Sequence, residues 1–213
     1  MITVTKFVFN PFQENTFVLH DETGACVIID PGCYDGAEKE SLQSFIATKE
    51  LKPEKLLYTH CHVDHILGNN FIVDTYGLHP TMHKESLHFF ETGRRQGEIY
   101  GFQMEAVRGQ ASFIDHGEQV FFGNSALKVV YTPGHVDGSV CFIADSDKFV
   151  ITGDVLFKDS IGRTDFPTGD FDLLMDSIHN QLFTLDDAYA VYCGHGPETS
   201  IGYEKVNNPF IRF

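Results

Sequence analysis

Between positions 60 and 65 the chain reads His60-Cys61-His62-Val63-Asp64-His65, four metal-ligand side chains within six residues. Imidazole and carboxylate donors at this density suit zinc, iron or manganese rather than softer metals. In an extended or turning segment, residues two apart point the same way, so His60 and His62 can share one ion while Asp64 and His65 turn towards a neighbour. One histidine alone is more often packed or solvated than a ligand, but four ligand types in one loop invite a pair of metals. Cys61, lying between two of them, should point away and pack as a thiol.

The flanks place the string on a strand-to-helix loop. Residues 55–58 form a brief apolar run leading into it, and Phe71, Ile72 and Tyr76 behind it suggest a helix. Three further candidates each stand just after a strand-like run: His135 in Thr132-Pro133-Gly134-His135, Asp154 in Thr152-Gly153-Asp154, and His195 in Cys193-Gly194-His195-Gly196. Glycine beside each permits a tight turn. His20, His79, His83, His88, His116 and His179 lack partners at ligand spacing. His79 and His83 are four apart, as on a helix, yet Pro80 lies between them and no carboxylate completes a zinc set.

Runs at 2–10, 15–20 and 25–30 are rich in Val, Ile, Phe and Thr, are broken by Pro11 and by Glu22-Thr23-Gly24, and predict an antiparallel meander. Over 35–50, Ala37, Leu42, Phe45 and Ile46 fall at helical spacing and Pro53 follows, predicting a helix. A second half is expected from about Ser112, with strands at 119–122, 127–131, 139–144 and 149–152. A helix over 170–185, carried by Phe171, Leu174, Ile178, Leu182 and Leu185, and a last strand at 188–192 complete it. Residues 84–109 give no clear pattern. Two halves of strands plus helices suit two sheets packed face to face with helices outside.

A length of 213 residues suits one domain, 1–213, with one site. Thirty acidic residues against 15 basic ones give a formal charge of -15, which disfavours nucleic acid and anionic membrane as partners. No stretch approaches the ~20 apolar residues of a membrane helix, and the first eleven residues carry no cleavage pattern, so the expected compartment is the cytoplasm. The five cysteines (Cys26, Cys33, Cys61, Cys141, Cys193) are scattered without paired spacings, as buried thiols in a reducing compartment would be.

The H-x-H-x-D-H string, followed in order by Pro-Gly-His, Gly-Asp and Gly-His-Gly, resembles the metallo-β-lactamase superfamily over nearly the whole chain. The resemblance implies an α/β fold, the four-layered αβ/βα metallo-β-lactamase sandwich of two mixed β-sheets flanked by helices, with metals at a loop-bearing edge. It implies His60, His62 and His135 on a first metal, Asp64, His65 and His195 on a second, and Asp154 bridging both. The cofactor expected is two divalent metal ions, zinc first, with iron or manganese as alternatives. Such ions lower the pKa of a shared water towards ~7 and steady the oxyanion formed on attack. Asp64 is expected also to act in catalysis by orienting or taking up a proton. His65 and Asp154 stand where antibiotic-hydrolysing members often differ or use a cysteine, so a β-lactamase is not expected.

The stretch Gly153-Asp154-Val155-Leu156-Phe157, then Ile161-Gly162-Arg163-Thr164-Asp165-Phe166-Pro167, is similar to small glyoxalase II-like hydrolases. This implies a small-molecule thioester substrate such as S-lactoylglutathione, with Arg163 and Asp165 at the substrate-binding rim. A thiolate leaving group with a pKa of about 8.5 departs without a strong general acid. Larger glyoxalase II enzymes bind glutathione through a helical C-terminal part, and that recognition surface is not carried over here. The nearest rival is a persulfide dioxygenase of the same family, with one iron on His60, His135 and Asp154 as a facial triad. Val136-Asp137-Gly138 resembles the dioxygenases and Phe166-Pro167 the hydrolases. A non-catalytic metal-binding protein on the same fold is the third reading.

Overall fold

Several strands of this chain are buried along their whole length rather than alternating, which requires a sheet covered on both faces. The structure, a computed structural model, describes residues 1–211. It opens with the meander β1 Thr3–Phe9, β2 Glu14–His20 and β3 Ala25–Ile29, paired antiparallel. Helix α1 Gly36–Thr48 starts at a capping box: the Asp35 side chain accepts from the Glu38 amide, and the Glu38 side chain accepts from the Asp35 amide. Then come β4 Lys52–Leu57, the short α2 Val63–Ile66, α3 Asn69–Tyr76 and β5 Pro80–His83. A 3-10 turn at Lys84–Ser86, α4 Leu87–Glu91 and α5 Gly93–Tyr100 lead to β6 Ser112–Ile114. The second part holds β7 Gln119–Phe122, β8 Ser125–Tyr131, β9 Val140–Ala144, β10 Phe149–Gly153 and the small hairpin β11 Leu156–Phe157 with β12 Ser160–Ile161. It ends with α6 Phe171–Ser177, a π-helical stretch Ile178–Leu182, β13 Ala190–Cys193, β14 Thr199–Ser200 and α7 Ile201–Asn207.

Among the described residues, one six-stranded sheet runs β1-β2-β3-β4-β5-β6 and a second runs β14-β13-β10-β9-β8-β7. Both are mixed: β3, β4, β5 and β6 pair parallel, as do β10 and β13, and the rest pair antiparallel. Side-chain alternation sorts the residues into layers. On β2 and β3, Phe17, Leu19, Val27 and Ile29 face the other sheet and meet Val129, Phe142 and Ile151. Val18, Cys26 and Ile28 face the other way, onto Leu42 and Ile46 of α1 and Ile72 of α3. Beyond the second sheet, Leu174, Ile178, Leu182 and Ile201 cover Val130, Cys141, Val150 and Val191. The result is the four-layered αβ/βα sandwich that the sequence led one to expect.

The differences lie where apolar periodicity is weak. Ser112 does not open the second half: β6 is the last strand of the first sheet, pairing parallel with β5. Both strands are short, and β6 is largely exposed, so neither carries a clear alternation. Residues 84–109 hold two helices. The buried positions of α5 are Gly93 and Gly97, so it has no apolar stripe to detect; a Cβ at Gly93 would stand 2.6 Å from Ile66 Cδ1 of α2. The helix expected over 170–185 changes to π-helical winding after Ser177, which keeps Ile178 and Leu182 in the core. All five cysteines are buried and free. Among the described residues no helix is long and apolar enough to cross a membrane.

Asp21, in the β2–β3 turn, ties the two sheets together. Its carboxylate accepts hydrogen bonds from Thr23 in its own turn and from the Asn124 amide (2.7 Å) and Ser125 hydroxyl (3.0 Å) of the β7–β8 turn. Burial opposes its ionisation, but these bonds outweigh it and lower its pKa to about 2. A depressed carboxylate stabilises the fold above its unfolded pKa, and the benefit is lost as pH falls through the folded value. Melting temperature should therefore drop between about pH 4 and pH 2 by the equivalent of about 1–2 kcal/mol from this group, after allowance for screening. The Asp21→Asn variant should be less stable at pH 7 and lose less over that window. Equal pH slopes in thermal melts of the two proteins would contradict the assignment.

Candidate metal centre

Every donor singled out in the sequence lies in a segment that follows a strand, on one edge of the sandwich. His60 follows β4, His62 is the residue preceding α2, and Asp64 and His65 lie in the first turn of α2. Asp154 follows β10, His195 follows β13, and His135 lies in the β8–β9 loop. Neighbouring strand ends of a sheet emerge together, so donors far apart in sequence converge.

The ligand atoms of His60, His62 and His135 all lie within 4.8 Å of one another, as do those of Asp64, His65 and His195. Asp154 stands between the two sets: its Oδ2 is 3.7 Å from His135 Nε2 and 3.6 Å from His195 Nε2, and its Oδ1 is 3.5 Å from His65 Nε2. His195 Nε2 is also 3.2 Å from Asp64 Oδ2. In the first set, His135 Nε2 and His62 Nδ1 are 3.0 Å apart. Two donors on one tetrahedral ion at ~2.0 Å are about 3.3 Å apart, so the spacing is that of ligands.

The outward nitrogens fix the tautomers. A carbonyl only accepts, so His135 Nδ1 carries the proton it donates to Arg163 O (2.7 Å), and His195 Nδ1 the one it donates to Phe12 O (3.1 Å). His65 Nδ1 donates to Asp30 Oδ2 (3.2 Å). The Thr59 hydroxyl donates to Asp30 and therefore accepts from His60 Nδ1 at 3.2 Å. Each of these four rings thus turns its Nε2 towards the centre. His60 Nε2, His65 Nε2 and Asp154 Oδ1 are buried without a hydrogen-bond partner among the described residues. Leaving such atoms unpaired is costly unless a cation takes them up, and the donor set fits divalent metals.

Electrostatics agree. Burial holds His60, His62 and His135 below the ordinary imidazole pKa, His62 at about 3, which leaves them neutral as a ligand must be. Burial opposes charge on His65 too, but Asp64 and Asp154 overcome it and push its pKa well up. His195 is raised in the same sense by Asp64 and Asp154 against its own burial. These two carboxylates demand positive charge on this side of the site.

Asp30 also comes within reach of His60 and His65. Its oxygens are already committed, however: Oδ1 accepts from the Thr59 amide (2.8 Å), and Oδ2 from the Thr59 hydroxyl and His65. It orients ligands rather than adding one. Beneath it lies Glu14, fully buried, with a carboxyl group that burial pushes well up. Sequence reasoning missed Asp30, Thr59, Glu14 and the Phe12 carbonyl; Asp30-Pro31-Gly32 directly after a strand was the one available sign.

The centre opens into a cavity of about 730 Å³, lined by Phe12, Val63, His88, Phe89, Tyr100, Phe157 and Phe166 among others. His88, set aside on spacing, thus lines the cavity without joining either donor set. Arg163 lines it as well, with its guanidinium 4.8 Å from the Phe166 ring centre and paired to Asp165 at 2.9 and 2.7 Å. Asp165 itself stands outside the lining. His83 stacks on Tyr131 at 4.5 Å, and His79 accepts from the Gln110 amide, both outside the donor sets.

Gly134 sets the loop that carries His135. Its φ is +125°, and a Cβ there would lie 2.2 Å from the Leu174 amide of α6. Gly134→Ala should lower stability by at least about 2 kcal/mol, from backbone strain and overpacking together. Urea unfolding should show the loss and elemental analysis a reduced metal content; an unchanged midpoint would contradict it.

An αβ/βα sandwich with two sets of imidazole and carboxylate donors at one sheet edge defines a class of metal-dependent protein. Residues 9–195 match the metallo-beta-lactamase superfamily, and the chain belongs to it. Hydroxyacylglutathione hydrolase GloC of Haemophilus influenzae is 35% identical over 206 residues, covering 94% of this chain and 93% of its own. Among solved structures, the B3 metallo-beta-lactamase BLEG-1 superposes with a TM-score of 0.89 at 32% identity, over 99% of this chain and 100% of its own. TTHA1623, solved in a di-iron-bound form, gives 0.88 at 31% identity, over 97% of this chain and 100% of its own.

Proposed function

We propose that this chain is a binuclear-metal hydrolase that cleaves an acyl thioester, with S-lactoylglutathione as the substrate to test first. The observation that carries the reading is the convergence of seven donors, with inward-facing nitrogens and orphaned buried atoms, at a substrate-sized cavity lined by five of them, His62, Asp64, His135, Asp154 and His195. The name of the GloC relative supports the choice of a glutathione thioester.

Two divalent ions, when bound, supply Lewis acidity and a water acidic enough to ionise near neutral pH. His60, His62 and His135 would hold one ion, Asp64, His65 and His195 the other, with Asp154 shared. Among the described residues the cavity lining has no serine or cysteine, the Thr92 hydroxyl in it donates to the His88 carbonyl (2.8 Å), and burial pushes Cys26, Cys33, Cys141 and Cys193 up to about 12. Asp64, 3.2 Å from His195 Nε2 and on the cavity wall, is placed to take up or orient a proton during attack. Phe89, Phe157 and Phe166 exclude water around the acyl group. Arg163, fixed by Asp165, borders the substrate, while its backbone carbonyl orients His135.

Protein purified without added metal should carry near two metals per chain and release thiol from S-lactoylglutathione without oxygen. One iron per chain with persulfide-dependent oxygen uptake would replace the hydrolase with a dioxygenase. Hydrolysis of a β-lactam but no thioester would place the chain with BLEG-1 instead. A metal-loaded protein inert on all of these would leave a binding role.

A further inference from the structure

Helix α5 has two faces. Gly93 and Gly97 are buried, while Arg95, Ile99 and Tyr100 line the cavity above the metal donors. Ile99 is 72% exposed and Tyr100 51%, and Phe12, 41% exposed, packs edge-on against Tyr100 with ring centres 5.5 Å apart. An apolar strip of this kind on the wall of a cavity is surface for a ligand to cover.

Two guanidinium groups line the same cavity. Arg163 is matched by the two oxygens of Asp165. Arg95 has no ion-pair partner among the described residues, in a chain with twice as many acidic as basic side chains, and its neighbour Arg94 is paired with Glu98 at 3.2 Å. The acidic residues lining the cavity are Asp64 and Asp154, both committed to the metal donors. Arg95 is therefore an uncompensated charge beside an apolar strip, with a fork that matches a carboxylate or a phosphate.

We propose that Arg95 receives the anionic end of the substrate's thiol portion while Ile99, Tyr100 and Phe12 hold its apolar stretch, so that the enzyme selects thioesters of carboxylate- or phosphate-bearing thiols. The assignment rests on the thioester reading of the centre. It places recognition on α5, between the H-x-H-x-D-H string and His135.

The test is calorimetric binding of three non-hydrolysable thioethers to the metal-loaded protein: S-butylglutathione for carboxylate, S-butyl coenzyme A for phosphate, and neutral S-butyl-N-acetylcysteamine. Arg95→Gln should weaken one of the anionic ligands by about tenfold or more, and Arg95→Glu further, while the neutral ligand shifts by no more than roughly twofold. Whichever anion responds identifies the source. Arg94→Gln should change none of the three. Equal weakening of all three ligands, or a wild type that holds the neutral ligand as tightly as both anions, would overturn the proposal. Selective weakening by Arg95→Gln in a protein that hydrolyses no thioester would sink the thioesterase reading and leave Arg95 as an anion-binding residue. Thioester hydrolysis with anionic binding indifferent to Arg95 would do the reverse.

Discussion

On the proposed thioesterase reading, Asp154→Asn is expected to cut kcat/KM for S-lactoylglutathione by roughly a thousandfold and to lower metal content below that of the wild type. Among the described residues, Asp154 is the one carboxylate within 3.7 Å of histidines from both donor sets, and its Oδ1 is buried without a hydrogen-bond partner. Asparagine keeps the shape but removes the charge and turns an N–H₂ towards one set or the other. Burial opposes ionisation of Asp154, yet His65 beside it holds the carboxyl well below the ordinary range, so the ionised form is the one built into the site. Lewis-acid stabilisation of a transition state is worth several kcal/mol, and three orders of magnitude correspond to about 4 kcal/mol. Elemental analysis and steady-state kinetics on one preparation check both parts. A variant with two tightly held metals and near-wild-type kcat would remove Asp154 from the shared position.

The second large effect is expected at a residue that is not a ligand. Asp30→Ala strips the acceptor from the Thr59 amide, the Thr59 hydroxyl and His65 Nδ1 at once. All three groups are buried, and breaking a buried charged contact by removing one partner costs about 3–5 kcal/mol. Metal affinity should fall about 10–100-fold, the usual result when a partner orienting a metal ligand is lost. His60 would feel it through Thr59, and His65 directly. Asp30→Asn should recover only part, because one amide cannot accept from donors on both sides. Thr59→Val should lose the hydroxyl's contacts to Asp30 and His60, keep the Thr59 amide and His65 contacts of Asp30, and weaken metal binding less than Asp30→Ala. Competition with a chelating dye and thermal melting read the two losses separately. If Asp30→Ala leaves both unchanged, the proposed orienting chain from Asp30 to the rings does not operate.

Much of the centre was legible because local chemistry marks it. Four donors in six residues, and glycine-flanked His135, Asp154 and His195 after apolar runs, are unusual in any soluble chain and survive without knowledge of the fold. Asp30 was not legible in the same way. A lone aspartate after a strand is common, and its function depends on a backbone φ of +49° that bends the chain so that the carboxylate lies beneath Thr59. The cavity wall was also hidden: α5 buries glycines rather than leucines and turns its large apolar side chains outwards, which inverts the pattern by which a helix is recognised.

The sequence by itself marked the donors and most of the strands that end at them, because donor clusters and apolar runs are local properties of the chain, while the four-layered sandwich was implied by its resemblance to a family. Only the tertiary structure decided which nitrogen of each histidine faces inwards, which carboxylate orients instead of binding, and which helix roofs the cavity. Those outcomes depend on hydrogen-bond partners 28 to 183 residues away along the chain, and they exist only once the two sheets have packed.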